Sequence, residues 1–235
     1  MTIGTLNEGP LHHSLKALYG AESAHEVPIE GYVADVHGDD DVLYEIQTAG
    51  FGSLKKKLAR LVETYRVVLV HPIAETRYIV KLSDDELEHK RRKSPKKGAV
   101  SHVLDELVSI PTMLNHPNFE LEVVLIEEEE FRIHDPTRVR GRRGWRVVER
   151  RLVEVKEQVR FRSVDDLFGF VKHPLPDSFT TQDLADAMEE PRWLAQKLAY
   201  CLRQAGAIHI RGKNGNSLIY QRAPQRRRSN DSMSS

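Results

Sequence analysis

The segment RVVLVHPI, residues 66–73, constrains the fold more than any other stretch. It is an apolar run bounded by polar residues, and it follows directly on FGSLKKKLARLVETY. In that preceding segment Phe51, Leu54, Leu58, Leu61 and Val62 make one apolar stripe, with lysines and arginine opposite, the pattern of an amphipathic helix. A strand buried on both faces directly after such a helix requires a partly parallel sheet covered by helices. Upstream, PLHHSLKALYG reads as a helix, with Pro10 in its first turn and Gly20 as its stop. HEVPIE is extended because Pro28 biases Val27 away from helical backbone. Strands near Gly31–His37 and Val42–Thr48 flank a Gly-Asp-Asp-Asp turn, and TRYIVKL follows the buried run as an edge strand. The order α, β, β, β, α, β, β predicts an α/β fold with a mixed-sheet sandwich, ending near Leu82.

Downstream, SDDELEHKRRKSPKKGAV lacks periodicity and reads as a basic linker over residues 83–100. Residues 101–162 begin with a helical stretch interrupted by Pro111 and continue as a strand-rich middle region, NFELEVVLIEEEEFRIHD and GWRVVERRLVEVKEQVRF around the basic loop PTRVRGRRG. Residues 163–222 run helix, helix, hairpin, the order of a winged helix-turn-helix. The tail 223–235 lacks apolar residues after Ala223 and is expected to be disordered.

Lys+Arg and Asp+Glu number 35 each, so any affinity for nucleic acid must arise from segregated charge. The single cysteine, Cys201, excludes an intrachain disulfide and a cysteine-rich metal site. No apolar run is long enough for a helical membrane span, and the N-terminal stretch MTIGTLNEGPLHHS is polar, so a soluble, cytoplasmic protein is expected.

The hairpin GYVADVHGDDDVLYEIQT carries Asp35 and Glu45 inside its strands. A three-residue loop, Asp39 to Asp41, pairs Gly38 with Val42 and sets Asp35 opposite Glu45 on one face; a four-residue loop separates the two acids. Opposed carboxylates repel unless a cation lies between them. Oxygen-only ligands suit Mg²⁺ or Mn²⁺, which activate water and stabilise a developing oxyanion. The same acids also fit the solvent face of an amphipathic hairpin.

The arrangement resembles the PD-(D/E)xK nuclease superfamily over about residues 6–82. Asp35 in GYVADV matches the family's strand aspartate, Glu45 and Gln47 in EIQT match its (D/E)xK, and Glu8 matches the acid many members carry before the first helix. GYVADV is similar to the corresponding strand of archaeal Holliday-junction resolvases, and the EIQT-then-helix pattern to a set of bacterial proteins with this core. The resemblance implies a Mg²⁺- or Mn²⁺-dependent endonuclease acting on DNA. Asp35, Glu45 and Glu8 would be its metal ligands, Gln47 would position water, and subunits would pair as a homodimer. The family's lysine is replaced by Gln47, whose neutral amide orients water but accepts no proton, which also admits a non-catalytic DNA-binding or regulatory protein. Glu30 is a further acid near the site. The DNA contacts expected are Lys55 on the amphipathic helix, Arg92, Lys96 and Lys97 of the basic segment, and Arg142 and Arg143 of the glycine-containing loop. In the C-terminal module they are Arg192, Gln196, Lys197 and Arg203 on the second helix, with Trp193 packed inward, and Lys213 at the wing tip.

Overall fold

The computed structural model describes residues 9–39, 41–82, 90–138 and 144–224. Helix α1 (Pro10–Lys16) starts at its proline and buries Leu11 and Leu15. Strands β1 (His25–Ile29) and β2 (Tyr32–His37) are joined at Glu30 and Gly31, both with positive φ (52° and 82°), the backbone a two-residue hairpin turn needs. After β3 (Val42–Ile46), Gly50 adopts φ 75° ahead of α2 (Phe51–Leu61), which buries Phe51, Leu58 and Leu61. The first N–H groups of that turn, Gly50 and Phe51, donate to one oxygen of Glu106 at 2.7 and 3.1 Å. An anion at a helix start is satisfied by the free donors there.

The buried run extends further than its sequence suggests. RVVLVHPI and TRYIVKL form one strand, β4 (Arg66–Leu82), with a register shift between Ala74 and Thr76. Strands β6 (Phe119–His134) and β7 (Trp145–Phe161) join the same sheet, whose order is β1-β2-β3-β4-β6-β7. β3, β4 and β6 run parallel and the remaining pairs antiparallel. The middle region therefore continues the first sheet instead of forming a separate unit.

The segment expected to be a linker is also part of the sheet. Lys90–Lys93 form β5, which pairs antiparallel with β4, Tyr78 facing Lys93 and Val80 facing Arg91. Its four residues are all charged and show no apolar period, and the free backbone edge of β4 gives them their strand partner.

The C-terminal part comprises α4 (Thr181–Met188), α5 (Arg192–Gln204) and a small sheet ordered β8-β10-β9, from Ser178–Phe179, Ser217–Arg222 and Ile208–Asn214. Thr180 caps α4 reciprocally with Asp183: its hydroxyl accepts from the Gln182 and Asp183 N–H groups, and the Asp183 carboxylate accepts from the Thr180 N–H. Helix α5 packs on α3 (Leu104–Leu107), and its Leu194, Leu198, Cys201 and Leu202 share one buried cluster with Leu104, Leu107, Leu58 and Leu69. Trp193 is not packed inward: it is 46% exposed, because its position lies off the Leu194–Leu198–Cys201 stripe. No helix among the described residues is long and apolar enough to cross a membrane.

Candidate functional site

The hairpin register follows the three-residue loop. Gly38 N–H donates to Val42 O at 2.8 Å, Val36 pairs with Tyr44 and His37 with Leu43, so Asp35 and Glu45 are cross-strand neighbours. The strand is irregular at Asp35, however. Ala34 is buried in the cluster beneath α2, whereas Val36 is buried in the one beneath α1. Opposite this switch, Glu26 of β1 has φ 54°. The register is unshifted on either side, His25 opposite Val36 and Val27 opposite Ala34, so neither strand carries an extra residue. The irregularity is a local break where Glu26 and Asp35 face one another. The Asp35 Oδ2 accepts the Ile46 N–H at 2.8 Å, in place of a ladder hydrogen bond.

The two carboxylates consequently have different partners. Asp35 faces α1, with His12 Nε2 3.4 Å from Oδ2 and Lys16 Nζ 3.8 Å from Oδ1. Lys16, itself buried, also pairs with Glu26. Burial raises the Asp35 pKa, but hydrogen bonding and charge from His12, the Ile46 N–H and Lys16 outweigh it and hold the group below the usual carboxylate value. Glu45 faces α2. Lys57 Nζ bonds its Oε2 at 2.5 Å and the Val33 carbonyl at 2.6 Å. Glu45 is 2% exposed, and its Oε1 is buried with no hydrogen-bond partner among the described residues. Burial pushes its pKa up to about 7; Lys57 opposes the shift, and the nearby Asp35 charge adds to it. The acids thus feel one another across the β2–β3 edge, each held by cations of its own helix.

A cleft of about 580 Å³ opens on the Asp35 side, lined by His12, Glu26, Asp35, Thr48, Glu149 and Arg150 among others. Its far wall is the start of β7, where Arg150 is anchored to Glu130 at 3.3 Å.

Other expected site residues fall elsewhere. The Gln47 side chain donates to the Ala49 carbonyl, and the Gln47 backbone carbonyl is bonded to His71 Nδ1 at 2.7 Å. Glu30 pairs with Arg60 at 2.7 Å, away from the acids. Glu8, Arg142 and Arg143 lie outside the described residues. Among the described residues, no group of three or more His, Cys, Asp or Glu side chains is placed to hold a metal. Lys55, Arg92, Lys96, Lys97, Arg192, Gln196 and Lys213 are exposed. Lys197 is tied to Asp105 at 2.7 Å, and Arg203 lies 6.0 Å over the Tyr200 ring. Elsewhere on the basic loop, Arg138 and Arg146 pair with Asp135, so at its base the arginines answer acids of the same hairpin.

Lys57, His12 and Lys16 are the residues that sequence reasoning missed. Lys55 and Lys57 flank the α2 stripe at similar angles, so helical periodicity does not choose between them. Only the position of Glu45 on β3 does.

Residues 9–162 match the family described as Domain of unknown function (DUF8091), and the chain belongs to that family. It is 31% identical over 228 residues to an uncharacterized protein of Treponema pallidum (strain Nichols), covering 95% of this chain and 89% of that one. No solved structure matches.

Proposed function

We propose that the protein is a divalent-metal-dependent nuclease acting on DNA, built on a PD-(D/E)xK-like core with a C-terminal winged helix. The observation that carries this reading is the buried Oε1 of Glu45 beside Asp35, without a hydrogen-bond partner among the described residues. A buried carboxylate oxygen without a partner costs on the order of 1–3 kcal/mol, a cost that a bound ion would offset. The helix–three strands–helix–strand order, antiparallel through β3 and then parallel into β4, supports the same reading.

Asp35 and Glu45 would hold the ion, with Glu8 as the third acid the resemblance supplies. The ion's chemistry is activation of water and stabilisation of phosphate charge. Lys57 provides the ammonium that Gln47 lacks and offsets negative charge beside Glu45. His12 fixes Asp35, and Arg150 faces the cleft as a phosphate contact. Incubation of the full chain with plasmid, branched and single-stranded DNA in Mg²⁺ or Mn²⁺ tests this. Cleavage should appear and be lost in both Asp35→Asn and Glu45→Gln; its absence on all substrates, or survival in either variant, sinks the nuclease.

One observation favours a second reading, a non-catalytic DNA-binding protein: each acid is already neutralised from within, Glu45 by Lys57 and Asp35 by His12 and Lys16. Salt-sensitive DNA binding unchanged by EDTA, with no heat on Mg²⁺ titration, would select it.

A further inference from the structure

The basic segment after β4 lies along a single line with the candidate site. β6 occupies one edge of β4 from Val67 to Leu82. Every other partner of β4 therefore sits on its opposite edge, in order. β3 pairs there up to Ile46–Val70, and the Gln47 N–H donates to Val70 O at 2.9 Å. Next, Gly98 N–H donates to Ala74 O at 2.9 Å and Ser94 N–H to Arg77 O at 2.8 Å. Finally β5 pairs with residues 78–81. The chain from Gly98 back to Lys90 thus prolongs the line of β3 beyond Glu45 and Gln47, over about 26 Å between Val70 and Tyr78.

Along this line Arg91, Arg92, Lys93, Lys96 and Lys97 are exposed. Arg91 is held by Glu129 at 2.7 Å and stacks over Tyr78. Among the described residues, Arg92, Lys93, Lys96 and Lys97 have no acidic partner, although charged residues elsewhere on the sheet are extensively paired. Four unpaired cations on one backbone-fixed edge form a surface complementary to a line of negative charge. Arg92 and Lys93, adjacent in β5, project to opposite sides of this edge, and Lys96 and Lys97 follow about 10 Å further along. The cations are thus spread along the edge on which phosphates would lie.

We infer that the edge formed by β5 and residues 94–98 is a rail for one sugar–phosphate strand, guiding it to or from the Asp35–Glu45 site. The inference rests on the nucleic-acid reading above and not on cleavage. It assigns an extended strand, contacted through its backbone over about four nucleotides, as the occupant.

The test compares wild type with a variant carrying Arg92→Gln, Lys93→Gln, Lys96→Gln and Lys97→Gln, by fluorescence anisotropy in EDTA. Labelled single-stranded oligonucleotides of increasing length are titrated at several KCl concentrations, and circular dichroism confirms the fold. The variant should bind at least tenfold more weakly, with a log–log salt slope shallower by about three, and should lose the affinity wild type gains on lengthening the strand. Interchanging Lys and Arg at these positions should restore binding. An unchanged slope, a wild type that binds no DNA, or equal wild-type affinity for polyglutamate of matched charge would each overturn the rail. Rail-dependent binding without metal-dependent cleavage would leave the rail standing and remove the nuclease.

Discussion

Glu45 is held through Oε2 by Lys57, while its buried Oε1 has no hydrogen-bond partner among the described residues. Its folded pKa of about 7 lies above the ordinary 4.5, so between those values the folded chain binds more protons than the unfolded one. The stability this group contributes is complete below about pH 4.5 and is lost as pH rises through about 7, on the order of 3 kcal/mol in all. Urea unfolding in EDTA should therefore show wild type losing stability from pH 5 to pH 8, and Glu45→Gln flattening that part of the profile. A profile identical in both proteins would show that Glu45 ionises normally. Lys57→Met should cost about 3–5 kcal/mol at pH 8, where it strands a buried anion, and less at pH 5, where Glu45 takes up a proton. The acids were legible in the sequence, but their register was not, since three- and four-residue loops both fit and only the Gly38–Val42 pairing decides between them. The break in the strand at Asp35 was not legible either, because it accompanies a left-handed backbone at Glu26 across the sheet. Regular strands would set the two carboxylates on one face; with the break, each meets a different helix.

Elements with an apolar rhythm were read correctly from sequence: α1, α2, the β2–β3 hairpin and α5 are near their expected places. β5 was not, since a strand made of KRRK has no inward face to betray it. What fixes the arm is Gly98, whose N–H bonds Ala74 O and whose missing side chain leaves room for the β4 backbone. A methyl group there would come within 2.4 Å of Ile73 Cγ2 and 2.6 Å of the Ala74 carbonyl oxygen. Gly98→Ala should thus cost about 1–3 kcal/mol and speed amide exchange at Ser94 and Gly98. Protection that persists would mean the arm is held by something other than this contact. On α5, Trp193→Ala should change stability by no more than about 0.5 kcal/mol, as the ring is half open, whereas Leu198→Ala should cost about 2–5 kcal/mol. Chemical denaturation of the two variants checks the assignment of faces.

At the scale of the molecule, composition and period shifts suggested successive units, and the packing joins them. One buried cluster runs from Leu43 and Leu69 in the large sheet through Leu58 on α2 and Leu104 and Leu107 on α3 to Leu194, Leu198 and Leu202 on α5. Polar ties cross the same boundary: Ser101 with Glu190, Asn115 with the Ala205 carbonyl, and Lys197 with Asp105. The family match ends at residue 162, just after the buried Phe161, so α4, α5 and the small sheet that complete this core lie outside the matched residues. Separate domains would have interfaces more polar than their interiors and would unfold independently. A continuous apolar core instead predicts one cooperative transition. Unfolding followed by Trp193 fluorescence, in a Trp145→Phe background, should coincide with that followed by far-ultraviolet circular dichroism. Removal of residues 163–235 should strip the cover from Leu104 and Leu107 and leave a species that binds hydrophobic dyes. Two resolved transitions, or a well-behaved fragment ending at residue 162, would show that α5 merely rests on the sheet domain.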